Sequence, residues 1–354
     1  MKVLALTPWP IYPATSGGQE RCWNLLSNIP EVTIHALDWS GADSWQRVGA
    51  TNYRTIAADP IARIRAQQLF KSGVTTYDPI PSIVKDDLTN FRKAIDDSDP
   101  DLIILEHPWL LDLIDGRPYI YDSHNCETVN SRQQRPRALE NDLIASLERR
   151  ATQQAEHMTY TSTQDLTAMR QLYPFTTPTT HIPNGLTLQP QQATGEELNL
   201  IFIGSLYGPN IQAAKTLLSL APLLPEYKIR ILGNVCNALT PNSDNVELIG
   251  AVTEKQMDYY FKTAHAFINP VTEGSGTSLK IARALSYALP VISTPHGARG
   301  YTSPFISSIA NIPDMVRTLR KNWQPHSEES YAEALTLQWS LQANKMREAI
   351  NGLQ

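Results

Sequence analysis

The sequence predicts an α/β protein made of two doubly wound domains, and three observations carry that prediction. Short apolar strand-like runs alternate with amphipathic helix-like runs along both halves of the chain. The first strand of each half leads into a glycine-containing loop and then a helix: residues 2–7 into Ser16-Gly17-Gly18, and residues 198–203 into Gly204-Ser205. Between the halves, residues 189–197 are rich in Gln, Gly and Glu, contain Pro190 and lack any core pattern, which reads as a linker. At 354 residues the chain is long enough for two cores. The expected domains are 1–190 and 191–334, with a final helix over 335–354 that carries Trp339.

Taken in order, the first strand is followed by a helix over 19–26 and a second strand over 32–37. Residues 40–80 are hard to read apart from a helical run over 61–70. A helix over 83–95 precedes the strand 101–105, which delivers Glu106-His107. The next strand, 119–122, delivers Ser123-His124-Asn125. A long amphipathic helix over 138–157, a strand over 158–161 and a helix over 164–172 complete the first half. The second half repeats the alternation: helix 211–220, strand 227–232, extended 246–248, helix 253–263 and strand 266–269. The strand 266–269 feeds the loop Glu273-Gly-Ser-Gly-Thr-Ser278, a helix stopped by Pro290, and the apolar strand 291–293. Helices are expected over 314–321 and 328–350.

Composition narrows the function. Apolar residues make up 42% and charged residues 18%, as in globular proteins rather than disordered ones. A net charge of −5 with no basic run argues against nucleic acid as a partner, though it leaves room for peripheral contact with an anionic membrane. Cys22, Cys126 and Cys236 are odd in number and far apart, which fits a reducing compartment and no disulfide framework. No run approaches the ~20 apolar residues of a spanning helix, so the expected location is the cytoplasm.

Chemistry-bearing residues collect at predicted strand ends. Gly17-Gly18 with Arg21, and His107 with His124, Asn125, Cys126 and Glu127, belong to the first half. Gly204-Ser205 and the loop from Glu273 to Lys280 belong to the second. In facing doubly wound domains such ends line one cleft. A glycine loop feeding a helix N-terminus offers free N–H groups to a phosphate, and Lys280 adds a cation. Each feature taken singly also has an ordinary reading: a tight turn, a structural histidine, a solvated lysine. The two histidines and Cys126 lack zinc spacing. Neither a G-x-S-x-G elbow nor a G-x-G-x-x-G fingerprint is present.

As an ordered set, these motifs resemble the family-4 retaining glycosyltransferases of the GT-B fold, in the group-1 class. The strongest segment is E-G-S-G-T-S-L-K-I-A-R-A-L-S-Y-A-L-P-V-I-S-T at residues 273–294. It is supported by S-G-G-Q-E-R at 16–21, Y-D-S-H-N-C-E at 121–127, I-P-N-G at 182–185, F-I-G-S at 202–205, N-I-Q-A-A at 210–214 and H-G-A-R-G at 296–300. The resemblance implies a nucleotide-sugar donor in the C-terminal domain, a glycan, lipid-linked or protein acceptor in the N-terminal domain, and transfer with retention. The terminal helix would pack back on the first domain. His124, Lys280 and Glu273 become the candidate catalytic residues. Gly17, Gly18, Arg21, Gly204, Ser205, Gly274, Ser275, Gly276, Thr277, Ser278 and Arg283 become candidates for the donor, and His107, Asn125 and Glu127 for the acceptor. No cofactor or metal is implied, because cations and N–H dipoles would neutralise the leaving diphosphate.

Departures from the pattern are specific. Arg283 stands where the family glutamate accepts hydrogen bonds from the ribose, and a guanidinium accepts none. Ser278 and Ser205 replace cations of the two phosphate loops, and Leu289 replaces a small residue before Pro290. An active transferase, with Arg283 taking over a phosphate or ribose contact, is the first expectation. A non-catalytic subunit of the same fold is the second, and a nucleotide-sugar epimerase the third. Trp9, Tyr12, Trp45 and Trp109 are candidate sugar-stacking aromatics that serve equally well as core or rim residues.

Overall fold

A computed structural model describes the chain except residues 77, 135–137, 190–192, 195–197, 275, 302, 304, 310, 321–333 and 354. It divides into two compact units, Met1–Pro183 with Trp339–Gln354, and Asn184–Gln338. The division falls at Pro183–Asn184, ahead of the Gln-rich stretch expected to link the domains, part of which lies outside the described residues. Leu186 and Ala193 instead belong to the core of the second unit.

Among the described residues the first unit holds eight strands: β1 (Val3–Thr7), β2 (Val32–Asp38), β3 (Ser44–Val48), β4 (Thr51–Ala57), β5 (Leu102–Glu106), β6 (Tyr119–Ser123), β7 (His157–Tyr160) and β8 (Thr179–His181). Their order is β3-β4-β2-β1-β5-β6-β7-β8, parallel except for the antiparallel β3–β4 pair. β1, β5 and β6 are buried along their whole length, as strands covered on both faces must be. Helices α1 (Gly17–Leu26), α2 (Pro60–Lys71), α3 (Ile80–Ile83), α4 (Thr89–Ser98), α5 (Glu127–Gln134), α6 (Ala138–Gln154) and α7 (Thr163–Leu172) complete the winding. The hairpin β3–β4 occupies the stretch that the sequence left illegible. The helix expected over 83–95 is broken into α3, a 3-10 turn at Lys85–Asp87 and α4.

The second unit holds β9 (Asn199–Ile203), β10 (Lys228–Leu232), β11 (Val246–Gly250), β12 (Ala266–Asn269), β13 (Val291–Ser293) and β14 (Ile306–Ser308), all parallel, in the order β11-β10-β9-β12-β13-β14. Its helices are α8 (Gly208–Leu220), α9 (Glu254–Thr263), α10 (Leu279–Ser286) and α11 (Ile312–Arg320). The period of two along β9 sends Leu200 and Phe202 to one core and Ile201 to the other. Thr253 and Gln256 close a capping box that starts α9. The chain then returns to the first unit as α12 (Trp339–Asn351), which packs on α1 and buries Trp339, Ala343 and Met346. The earlier part of the terminal helix expected from residue 328 lies partly outside the described residues.

Strand order fixes where ligands can enter. In each sheet the winding reverses direction once, between β1 and β5 and between β9 and β12. At such a reversal the loops leaving the carboxyl ends of the strands part and open a crevice.

Candidate functional site

The crevice of the second unit is framed by the loops after β9, β12 and β13. Gly204 follows β9 in a crowded position, where an added Cβ would lie 3.0 Å from Asn210 Cβ. Asn210 sits near the start of α8, and its Nδ2 donates to Ser205 O at 3.2 Å and Ser205 Oγ at 3.1 Å. Its Oδ1 accepts from Lys280 Nζ at 2.5 Å. The Lys280 ammonium also lies 5.0 Å from the centre of the Phe202 ring. Half-buried Lys280 thus ties α10 to the β9 loop. Burial, then the neighbouring Arg299 guanidinium, lowers its pKa from 10.5 to about 8.

The loop after β12 turns at Gly274 (φ 115°) and Gly276 (φ 67°), conformations a side chain would strain. Arg299 Nη2 lies 3.5 Å from the position of a Cβ on Gly274, and Tyr207 Oη lies 3.8 Å away. Asn184, the asparagine of I-P-N-G, donates to Thr277 O at 3.2 Å and accepts from Tyr301 Oη at 3.2 Å through its carbonyl. The third loop is pinned by Asn269, which donates to Gly297 O at 3.0 Å, and by Thr294, whose hydroxyl accepts from Gly297 N at 2.8 Å. Ser278 caps α10 through its backbone without a side-chain capping bond. Glu273 is exposed, and Ser275 lies outside the described residues.

Arg283 points elsewhere: Nη2 pairs with Glu254 Oε2 at 3.0 Å, at the start of α9. Sequence reasoning missed Asn210 and Arg299 as site residues. Both stood in quoted motifs, and an arginine inside the glycine-rich H-G-A-R-G turn was the available signal for the second.

In the first unit, Ser16 N-caps α1 by accepting from Gln19 N, and an added Cβ on Gly18 would meet nothing within 4 Å. Gly17-Gly18 therefore presents an open helix N-terminus. Arg21 does not join it. The side chain is buried, with Nη2 on Asp122 Oδ1 at 2.8 Å and Oδ2 at 3.1 Å, and Nη1 on Ile182 O at 3.1 Å. The expected donor contact of Arg21 is corrected to a structural ion pair, since a guanidinium 1% exposed has no face left for a ligand.

His124 is also buried, and its Nε2 lies 2.7 Å from Glu106 Oε2 and 3.4 Å from Asp122 Oδ2. Burial opposes charging of this imidazole, but Cys22 and the Asp122 and Glu106 carboxylates outweigh it and hold the pKa well above 6.5. The Asp122 carboxyl is pushed low: burial works against this, and Arg21 and His124 overcome it.

His107, Asn125 and Glu127 form one hydrogen-bonded group. His107 Nδ1 lies 3.1 Å from Glu127 Oε1, which also accepts from Asn125 Nδ2 at 3.1 Å. His107 has φ 66°, a left-handed conformation that is costly for a residue with a side chain and turns its ring onto Trp9 and Trp109. A cleft beside the group is lined by Thr76, Trp109, Glu127, Ser131, Glu140 and Ile144. Trp109, 2% exposed, is a core residue rather than a free stacking surface, whereas Trp45 is 60% exposed.

Comparison with known proteins bears on both units. Residues 197–321, within the second unit, match the family model described as Glycosyl transferases group 1. Solved structures cover the whole chain. Sucrose-phosphate synthase from Thermosynechococcus elongatus superposes with TM-score 0.77 at 14% identity, covering 100% of this chain and 99% of that one. HepE from Anabaena, in complex with UDP and glucose, gives TM-score 0.68 at 13% identity with 99% of both chains covered. The fold is GT-B. The lipopolysaccharide outer core galactosyltransferase WaaB shares it as well, with TM-score 0.62, 12% identity and 100% of both chains covered. No curated protein sequence matches the chain. The GT-B assignment places the crevice loops of the second unit in the segment that matches the family model. Among the described residues no helix is long and apolar enough to cross a membrane.

Proposed function

We propose that this protein is a retaining glycosyltransferase that moves a sugar from a nucleotide-sugar to a glycan, lipid-linked or protein acceptor. The observation that carries the proposal is the placing of Lys280 and Arg299 by the loop that turns at Gly274 and Gly276, at the switch point of the unit whose residues 197–321 match the group-1 model. The turn's backbone N–H groups and these two cations would receive the diphosphate of the donor. Lys280 is already partly desolvated, so its attraction for an anion is stronger there than in water. Charge building on the leaving phosphate is then met without movement. The same phosphate can help remove the acceptor proton as the hydroxyl attacks from the face it leaves. In the first unit, His107, Asn125, Glu127 and the adjoining cleft are the acceptor residues of this reading, and Gly17-Gly18 is a point of close backbone approach. His124 offers a donor sugar little of its ring, since Nε2 faces Glu106.

HepE was solved with UDP and glucose, so UDP is the first diphosphate to titrate. The test is release of nucleoside diphosphate from a panel of nucleotide-sugars, with anomeric configuration of the product followed by NMR. Turnover abolished by Lys280→Ala supports the reading. A wild type that binds no nucleoside diphosphate overturns it.

One observation favours a second reading, a non-catalytic GT-B subunit. Arg283 is engaged with Glu254 in place of the ribose-accepting glutamate. Diphosphate binding by Arg283→Glu but not by wild type would favour that subunit.

A further inference from the structure

At the crevice of the first unit three potential metal donors meet: Cys22 from α1, Glu106 from the end of β5 and His124 just past β6. One ligand atom from each lies within 4.8 Å of the others, and all three residues are buried. Cys22 Sγ is 3.3 Å from Glu106 Oε2 and 3.8 Å from His124 Nε2, which is itself 3.4 Å from Asp122 Oδ2. Zinc bonds of ~2.0–2.3 Å to N, O and S set the edges of a tetrahedral site at roughly 3.3–3.7 Å. The two separations from Cys22 Sγ lie at or near that range. The third among these donors, His124 Nε2 to Glu106 Oε2 at 2.7 Å, is a hydrogen bond and would open by roughly 0.6 Å around a metal. A second observation is independent of these distances. Glu106 is fully buried, yet its Oε1 has no hydrogen-bond partner, an expensive state for a carboxylate oxygen.

We propose that Cys22, Glu106 and His124 form a buried site for one divalent cation of the zinc class. Thiolate, imidazole and carboxylate together select zinc or its spectroscopic surrogate cobalt(II) over magnesium or calcium. A divalent ion held by the Cys22 thiolate displaces the thiol proton to solvent, and the imidazole and carboxylate complete the donor set. Three buried donors with no exposed ligand make it a structural site that would pin α1 to the ends of β5 and β6. The site is a property of the first unit alone and does not depend on the transferase reading.

Because the site is buried, metal must load as the chain folds. The test is therefore expression of the full chain in minimal medium supplemented with cobalt(II), and separately with zinc. The expected result is one metal per chain by mass spectrometry. The cobalt protein should show tetrahedral d–d bands and a thiolate-to-cobalt charge-transfer band, and the zinc protein should have a higher Tm than protein from chelated medium. Cys22→Ser should lose the charge-transfer band and retain at most about a tenth of the metal. Cys126→Ser and Cys236→Ser should keep both. Absence of metal from the wild type, or octahedral cobalt without the thiolate band, overturns the proposal and needs no variant to fold. A band that survives Cys22→Ser overturns it equally.

Discussion

Lys280 carries a conflict between stability and ligand binding that can be measured. Its pKa lies at about 8 in the folded chain against 10.5 ordinarily, so between those values the unfolded chain binds more protons. The cost of burying the charge is thus complete below about pH 8 and is relieved as pH rises toward 10.5. Lys280→Met is expected to stabilise the second unit by roughly 1–3 kcal/mol at pH 7 and by almost nothing near pH 10.5, read by urea melts at both pH values. The same variant should weaken nucleoside diphosphate binding at least tenfold. Wild-type binding itself should decline as pH rises through 8.

Glu148 gives the opposite slope. Burial raises its pKa from 4.5 to about 7, although Thr128 and Tyr173 donate to it. Here the folded state holds the extra proton, so stability falls as pH rises from 4.5 to 7. Glu148→Gln should flatten that part of the curve. For Arg21, substitution by Leu takes the guanidinium from the buried Asp122 and leaves it only His124 and Thr159, at a cost of about 3–5 kcal/mol. A change in donor KM without loss of stability would instead restore Arg21 to the donor site.

Among the elements, the strand-to-helix turns separate glycines that serve packing from those that serve a ligand. Gly233 follows β10 with φ 91°, and an added Cβ would stand 2.3 Å from Gly204 O. Gly233→Ala should cost about 3 kcal/mol or more in denaturant melts, because the contact is with backbone that cannot move aside. Gly18 opens α1 with empty space where a Cβ would be. Gly18→Ala should leave stability unchanged or raise it by a few tenths of a kcal/mol. A large fall in turnover with the fold retained would show that a ligand closes on α1. Both glycines lie where a strand gives way to a helical turn, and only the packing around them distinguishes a crowded loop from an open one.

At the scale of the whole molecule, the chain leaves the first unit at Pro183 and re-enters it at Trp339. Deleting residues 339–354 uncovers the surface beneath Trp339, Ala343, Met346 and Ile350. Calorimetry should then show the transition of the first unit shifted down and that of the second largely preserved. Much of the architecture was legible because fully buried parallel strands are continuous apolar runs, and glycine loops between strand and helix mark their carboxyl ends. The hairpin β3–β4 was not: β3 is largely exposed, with Ser44, Trp45, Gln46 and Arg47 along it, and carries no burial pattern. The terminal return was legible only by resemblance.

The sequence by itself therefore determined the doubly wound class, most strand positions and the loops bearing Gly204, Gly274, Lys280, His107 and His124, since periodicity and glycine placement are local properties. Tertiary structure decided which of those side chains face outward. Arg21 turned inward to Asp122, Arg283 went to Glu254, and Asn210 and Arg299 came to Lys280 and Gly274. It also brought Cys22, Glu106 and His124 together. The physical reason is that ion pairs and donor clusters join residues far apart in the chain, and their partners are set by strand order and register rather than by spacing.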